Sequence, residues 1–213
     1  MRLKPSRRQL LGLLPDRLVL VRGPRTPGAL YLTFDDGPHP EHTPRLLDLL
    51  ARHGARASFF LVGQRVERHP ALVERIVAEG HALGNHSYSH PMFHQLGLRQ
   101  QLDEVERTDR LLSNFDHAGS YRFRPPRGSM SPALLLAFAR RGRGIAYWSY
   151  DSLDYQSRSP GELAGLLARR PPADGDIVLM HDDSGCAAQI LERMLPLWRA
   201  GGRHLLALPK VRA

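Results

Sequence analysis

The chain has 213 residues, with 30 Lys and Arg against 21 Asp and Glu, a formal net charge of +9. Hydrophobic residues make up 42%, enough for a real core, so a disordered chain is excluded, and the single cysteine, Cys186, excludes an internal disulfide framework and a cysteine-rich zinc site. No uncharged apolar run approaches the ~18 residues of a spanning helix, and the basic surplus alone points only to some acidic partner: nucleic acid, anionic polymer or anionic lipid.

The charge is uneven. Residues 1–26 carry seven basic residues against the single acid Asp16, so +6 of the +9 belongs to this leader. Ser6-Arg7-Arg8-Gln9-Leu10 has a twin-arginine look. The apolar stretch after it is broken by Pro15, Asp16 and Arg17, with no small-residue cleavage site. A cytoplasmic location, or one peripheral to the inner membrane, is therefore expected over export. Leu10, Leu14, Leu18 and Val21 recur at helical spacing beside arginines, which would allow contact with a membrane surface through residues 1–26. The alternative is a short element packed on the domain.

Beyond the leader, apolar runs alternate with helix-like stretches. Ala29 to Phe34 reads as a buried strand, and Pro44 to His53 as a helix stopped by Gly54. Ser58 to Val62 is a second strand, and Pro70 to Glu79 a helix with proline first and Gly80 last. His81 to His86 is a third strand and Leu98 to Phe115 the longest helix. Ser120 to Arg124 is a fourth strand, and Ser131-Pro132 opens a helix with an N-cap and proline at its first position. Gly144 to Tyr150 is a fifth strand, Ser159-Pro160 opens the next helix, and Asp176 to His181 is a sixth strand. A helix over Ala187 to Ala200, with Pro196 inside it, and a last strand over His204 to Leu208 close the chain. This alternation predicts one domain, residues 27–213, with about seven parallel strands and helical crossovers. A small incomplete barrel and an open doubly wound sheet both fit.

The reactive residues sit at or just after the apolar runs: Asp35-Asp36, His86 and His90, Arg124, Asp151 and Asp154, and His181. In a parallel sheet all strand carboxyl ends open on one face, where sites are built. His86 and His90, four residues apart, lie on one side of a helical turn and can share an ion. One carboxylate from Asp35-Asp36 would complete a two-histidine, one-carboxylate set with open positions. Alone, Asp35-Asp36-Gly37-Pro38 is equally a turn with two polar caps.

Thr33-Phe34-Asp35-Asp36-Gly37-Pro38 followed by His86-Ser87-Tyr88-Ser89-His90 resembles the polysaccharide deacetylase family, the NodB-type domain of carbohydrate esterase family four. Arg124-Pro125-Pro126-Arg127-Gly128, Asp151-Ser152-Leu153-Asp154-Tyr155 and Leu179-Met180-His181 resemble its later motifs, in family order. The resemblance covers Ala29 to the C-terminus and implies a distorted, incomplete (β/α) barrel.

It also implies roles. Asp35 would be the general base, and Asp36, His86 and His90 the ligands of one divalent metal, zinc first, with cobalt, nickel or manganese as alternatives. Arg124 would hold Asp35, His181 would be the general acid, and Asp154 would pair with His181. The backbone N–H of Arg127 would meet the oxyanion, and Tyr155 and Leu179 would wall the acetyl pocket. Arginine stands at 127 where many members have tyrosine, and Tyr155 where many have tryptophan. Every position for proton transfer or metal binding is filled.

The implied reaction is removal of N-acetyl groups from an acetylated amino-sugar poly- or oligosaccharide. O-acetyl ester hydrolysis, or deformylation or deacetylation of a lipid-linked sugar, are the neighbouring readings. A nucleic-acid-binding module rests on charge alone, with no helix-turn-helix, zinc finger or aromatic-basic interleaving, and no nucleic-acid partner is expected. Cys186 reads as a small packed residue and His39 and His42 as loop residues, while His94 continues the spacing from His90 but is separated from it by Pro91, against a role as a ligand.

Overall fold

The computed structural model describes residues 10–118 and 120–209. Among the described residues, eight strands are interleaved with seven α-helices that lie wholly within them. The strands are β1 (Val19–Leu20), β2 (Ala29–Asp35), β3 (Ser58–Leu61), β4 (Ala82–Asn85), β5 (Ile145–Ala146), β6 (Tyr150–Asp151), β7 (Ile177–His181) and β8 (His204–Leu206). The helices are α1 (His42–Arg52), α2 (Gly63–Arg68), α3 (Pro70–Ala78), α4 (Leu98–Asp116), α5 (Pro132–Arg140), α6 (Pro160–Arg169) and α7 (Cys186–Ala200). The helix starts follow from local chemistry. Ser131 Oγ accepts from the Leu134 N–H to open α5, and Ser159 and Glu162 form a reciprocal capping box on α6.

All strand pairings are parallel. The order β4-β3-β2-β7-β6 forms the main sheet, with β8 beside the first half of β2 and β3 beside its second half. β1 and β5 form a second pair, joined to β4 through Phe123, which bridges Asn85 and Ile145. The result is a single-domain, distorted and incomplete barrel, as expected. Side chains alternate across it. Leu30, Leu32, Phe34, Phe59, Val178 and Met180 face the helices, packing with Leu46, Leu50, Ile190 and Leu195. Tyr31, Phe60, Ala146 and Ile177 fill the inside. The same period of two puts Thr33 and Asp35 on the inner face, at the carboxyl end.

Three expectations change. The segment 120–124 gives only the single bridge at Phe123, because Pro125 and Pro126 have no N–H to continue a ladder. The segment 144–150 splits in two: β5 pairs with β1, and β6 turns to pair with β7. This turn carries the sheet from one neighbour to the next, and α2 is an added short helix between β3 and α3. Pro196 lies inside a continuous α7.

The described part of the leader packs on the barrel. Leu11 and Val19 are buried with Phe93, Phe123, Leu134 and Phe138, and Arg22 pairs with Asp176 at 2.9 Å. The spacing of Leu10, Leu14, Leu18 and Val21 does not produce one helix. After Leu11 the chain turns through Pro15, and Val19–Leu20 extends as β1. Residues 6–9 of the twin-arginine-like stretch lie outside the described residues. Among the described residues no helix is long and apolar enough to cross a membrane.

Candidate active site

Five loops at the carboxyl ends of the strands bring the sequence-selected residues together. Among the described residues, six non-glycine residues have left-handed φ. Five of them lie in these loops, with φ of 54–75°: Asp36, Ser87, His90, Arg127 and Leu153. Such conformations cost on the order of 1–3 kcal/mol each and persist only where the surroundings over-determine them. Their concentration here marks a site held in shape by tertiary contacts.

Asp35 ends β2 and is buried. Arg124 Nη1 donates to its Oδ1 at 2.7 Å and to Thr33 Oγ1 at 2.8 Å. The guanidinium is fully buried, donates also to the carbonyls of Ala146 and Tyr147, and lies 4.0 Å from the Phe60 ring centroid. A buried cation so fully hydrogen-bonded keeps its partner oriented.

Asp36 turns away from Asp35 towards two imidazoles. Its Oδ1 lies 3.3 Å from both His86 Nε2 and His90 Nε2. His86 Nδ1 lies 2.7 Å from the Arg124 carbonyl, which can only accept, so the ring proton sits on Nδ1 and Nε2 presents its lone pair. Burial pushes the Asp36 carboxyl up, but contact with His86 and the positive charge of His86, His90 and His181 when these rings are protonated hold it well below the usual carboxylate range. Three donor atoms, one from each residue, lie within 4.8 Å of one another. The two histidines do not share a helical turn. They converge through an irregular loop, with Ser87 at φ 70° and His90 at φ 54°.

His181 ends β7. Its Nδ1 lies 2.9 Å from Asp154 Oδ1, and its backbone N–H donates to Asp154 Oδ2 at 2.7 Å. Ser152 Oγ also donates to Asp154 Oδ1, at 2.9 Å. Burial lowers the pKa of His181, but Asp154, aided by the charges of Asp35 and Asp36, raises it to about 9. Tyr155 meets the His181 ring edge-on at 5.5 Å and is 59% exposed. Leu179 is buried two residues before His181 on the inner face. Arg127 is exposed on a turn over Pro126–Gly128. Tyr147 donates to the Gly128 carbonyl at 2.6 Å, anchoring that turn.

Sequence reasoning missed the supports. Asp182, fully enclosed, accepts from Thr43 Oγ1 at 2.6 Å and lies against Gly37, where an added Cβ would come within 2.1 Å of its Oδ2. Burial and the nearby Asp36 and Asp183 raise its pKa to about 7. Asn85, Glu104 and Asp109 sit behind the His86–His90 loop. Only adjacency to His86 and His181 could have flagged Asn85 and Asp182.

A parallel barrel with a buried ion pair, a carboxylate–histidine pair and a carboxylate–histidine–histidine cluster at its mouth has the architecture of a hydrolytic α/β enzyme. The model of the family described as polysaccharide deacetylase matches residues 22–143, more than half of the chain. The chain is 31% identical to the peptidoglycan-N-acetylglucosamine deacetylase of Bacillus cereus, over 89% of this chain and 70% of that one. It is 37% identical to the chitooligosaccharide deacetylase of Sinorhizobium fredii, over 74% and 73%. The crystal structure of the Bc1960 peptidoglycan N-acetylglucosamine deacetylase superimposes with a TM-score of 0.84 at 29% identity, covering 91% of this chain and 92% of that one. The chain belongs to the polysaccharide deacetylase family and is a hydrolase of carbon–nitrogen, non-peptide bonds.

Proposed function

We propose that this enzyme removes N-acetyl groups from amino sugars of an acetylated poly- or oligosaccharide, with Asp35 as general base and His181 as general acid. The carrying observation is that each proton-handling group has its own dedicated partner, Arg124 for Asp35 and Asp154 for His181, beside one cluster of donor atoms. The names of the relatives support N-acetylated sugars as the substrate class.

The donor cluster fits a divalent cation. Asp36 Oδ1 is buried without a hydrogen-bond partner among the described residues, and the His86 lone pair points towards it. Asp36, His86 and His90 would hold the ion. This mixed nitrogen–oxygen set suits zinc, and also accepts cobalt, nickel or manganese. Such an ion supplies Lewis acidity, polarising water and the acetyl carbonyl.

The rest is the work of this chain. Asp35, held in place by Arg124, takes one proton from the attacking water as the water oxygen bonds to the acetyl carbon. The backbone N–H of Arg127 faces the developing oxyanion. His181 delivers its proton to the departing nitrogen as the carbon–nitrogen bond breaks, giving acetate and a free amine. Leu179 and Tyr155 enclose the methyl group. An ester leaves more easily and depends less on such help, so the Asp154–His181 pair matters most for the amide.

The test is acetate release from chitin oligomers, peptidoglycan, an exopolysaccharide and acetylxylan, with added metal. Chelation should abolish activity and zinc or cobalt restore it. Full activity in demetallated protein, or release from acetylxylan alone, would count against the proposal.

A further inference from the structure

The loop that carries His86 and His90 is held in part from outside: the Gly63 and Gln64 N–H groups donate to its Ser87 and Tyr88 carbonyls at 3.0 and 2.9 Å. Four consecutive backbone N–H groups, from Ser87 to His90, are all taken by side chains. Ser87 donates to Asn85 Oδ1 at 2.8 Å, and His90 to Ser87 Oγ at 3.1 Å. Tyr88 and Ser89 both donate to Glu104 Oε2, at 2.9 and 2.8 Å, and Ser89 Oγ donates to Glu104 Oε1 at 2.9 Å. Two adjacent N–H groups aimed at one carboxylate form an anion-binding concavity, here filled by a side chain from α4.

Five residues further along α4, Asp109 secures the other end. Asn85 Nδ2 donates to Asp109 Oδ1 at 2.5 Å and to the Val105 carbonyl at 2.8 Å, which turns Asn85 Oδ1 towards Ser87. Arg143 pairs with Asp109 Oδ2 at 2.5 Å, with both side chains 13% exposed. Val105 and Asp109, four residues apart, lie on one helix face, and Glu104 projects from the position just before Val105. Ser87 and His90 are both left-handed, a conformation that unaided residues leave readily.

We propose that Glu104 and Asp109 are positioning residues for the metal-binding pair: they reach no substrate, and act by fixing the loop that sets the distance between His86 and His90. This rests on the reading that Asp36, His86 and His90 hold a divalent ion. The geometry assigns the two carboxylates different parts. Glu104 binds the middle of the loop directly, and Asp109 acts through Asn85 on its entry.

The full chain tests this with Glu104→Ala, Glu104→Gln and Asp109→Asn, and with Asp103→Ala as control, an exposed acid on the same helix. Zinc affinity is read by competition with a chelating dye. Hydrogen exchange is read at the Tyr88 and Ser89 amides in metal-free protein. Zinc binding should weaken about 10–100-fold in Glu104→Ala, as is usual when an outer partner of a ligand is lost. Glu104→Gln should recover part of it, because its amide oxygen still accepts, and Asp103→Ala should match wild type. Exchange at Tyr88 and Ser89 should accelerate in Glu104→Ala and less in Glu104→Gln. A folded Glu104→Ala protein with wild-type zinc affinity, or wild-type exchange at those two amides, overturns the proposal. If Glu104→Ala does not fold, wild-type affinity and exchange in Glu104→Gln and Asp109→Asn overturn it equally. Wild-type protein that binds no zinc is a different result: it removes the metal reading, while exchange still reports whether Glu104 holds the loop.

Discussion

Asp35 and His181 are direct partners in the parallel β2–β7 ladder. Neighbouring strands lie ~4.8 Å apart, so the proposed base and acid stand side by side on the inner face at the same depth. Each is held from its own flank: Arg124 reaches Asp35 beneath the loop of residues 125–128, and Asp154 reaches His181 from the loop after β6. One register therefore sets the separation of the proposed base and acid, and their partners fix their orientation.

Loss of the acid should discriminate between leaving groups. His181→Ala should lower amide turnover by about 10²–10⁴-fold, the usual contribution of general acid catalysis, and lower turnover of an O-acetyl ester far less. Kinetics on matched N-acetyl and O-acetyl sugars provide the check. Equal losses on both would remove His181 from the acid role.

The same residue sets an alkaline limit. His181 must carry its proton to act, and its pKa is raised to about 9. Activity should hold through neutral pH and fall as pH rises through about 9. Removing the carboxylate in Asp154→Asn takes away the main raising influence, so the descending limb should move to lower pH. A pH–rate profile of both proteins decides it, and superimposable limbs would contradict the assignment.

Breaking the buried ion pair should cost stability as well as activity. Arg124→Ala leaves Asp35 buried and unpaired, a change worth about 3–5 kcal/mol in comparable sites. Urea denaturation of metal-free protein should show this loss. Replacing Arg124 and Asp35 together should cost less than the two single losses added, because they share one interaction.

Asp182 gives a pH dependence of stability with the opposite sign to an ordinary carboxylate. Its folded pKa, about 7, lies above the ordinary 3.8. The folded state therefore binds the proton more tightly than the unfolded state. That stability is fully present below about 3.8 and is lost as pH rises through about 7. Asp182→Asn keeps an oxygen for the Thr43 hydroxyl and carries no charge. Its Tm in metal-free protein should fall less than that of wild type between pH 5 and pH 8. Parallel curves would show that Asp182 stays ionised in the fold.

The sequence by itself determined the strand–helix alternation and the residues at the mouth. Both are written in local patterns: apolar runs such as residues 29–34, caps such as Ser131 and Ser159, and polar residues placed just past the strand ends. A four-residue spacing could not decide how His86 and His90 converge, since it suits a helical turn and an irregular loop alike. Acceptors on α4 decide it, from Glu104 and Asp109, too far along the chain for spacing to register them. Likewise Val19–Leu20 shows no strand period, and becomes a strand because β5 offers it a ladder. Periodicity encodes which face a side chain takes. Only the folded chain supplies the distant hydrogen-bond partners that hold Asp36, Ser87, His90, Arg127 and Leu153 in conformations they would not keep alone.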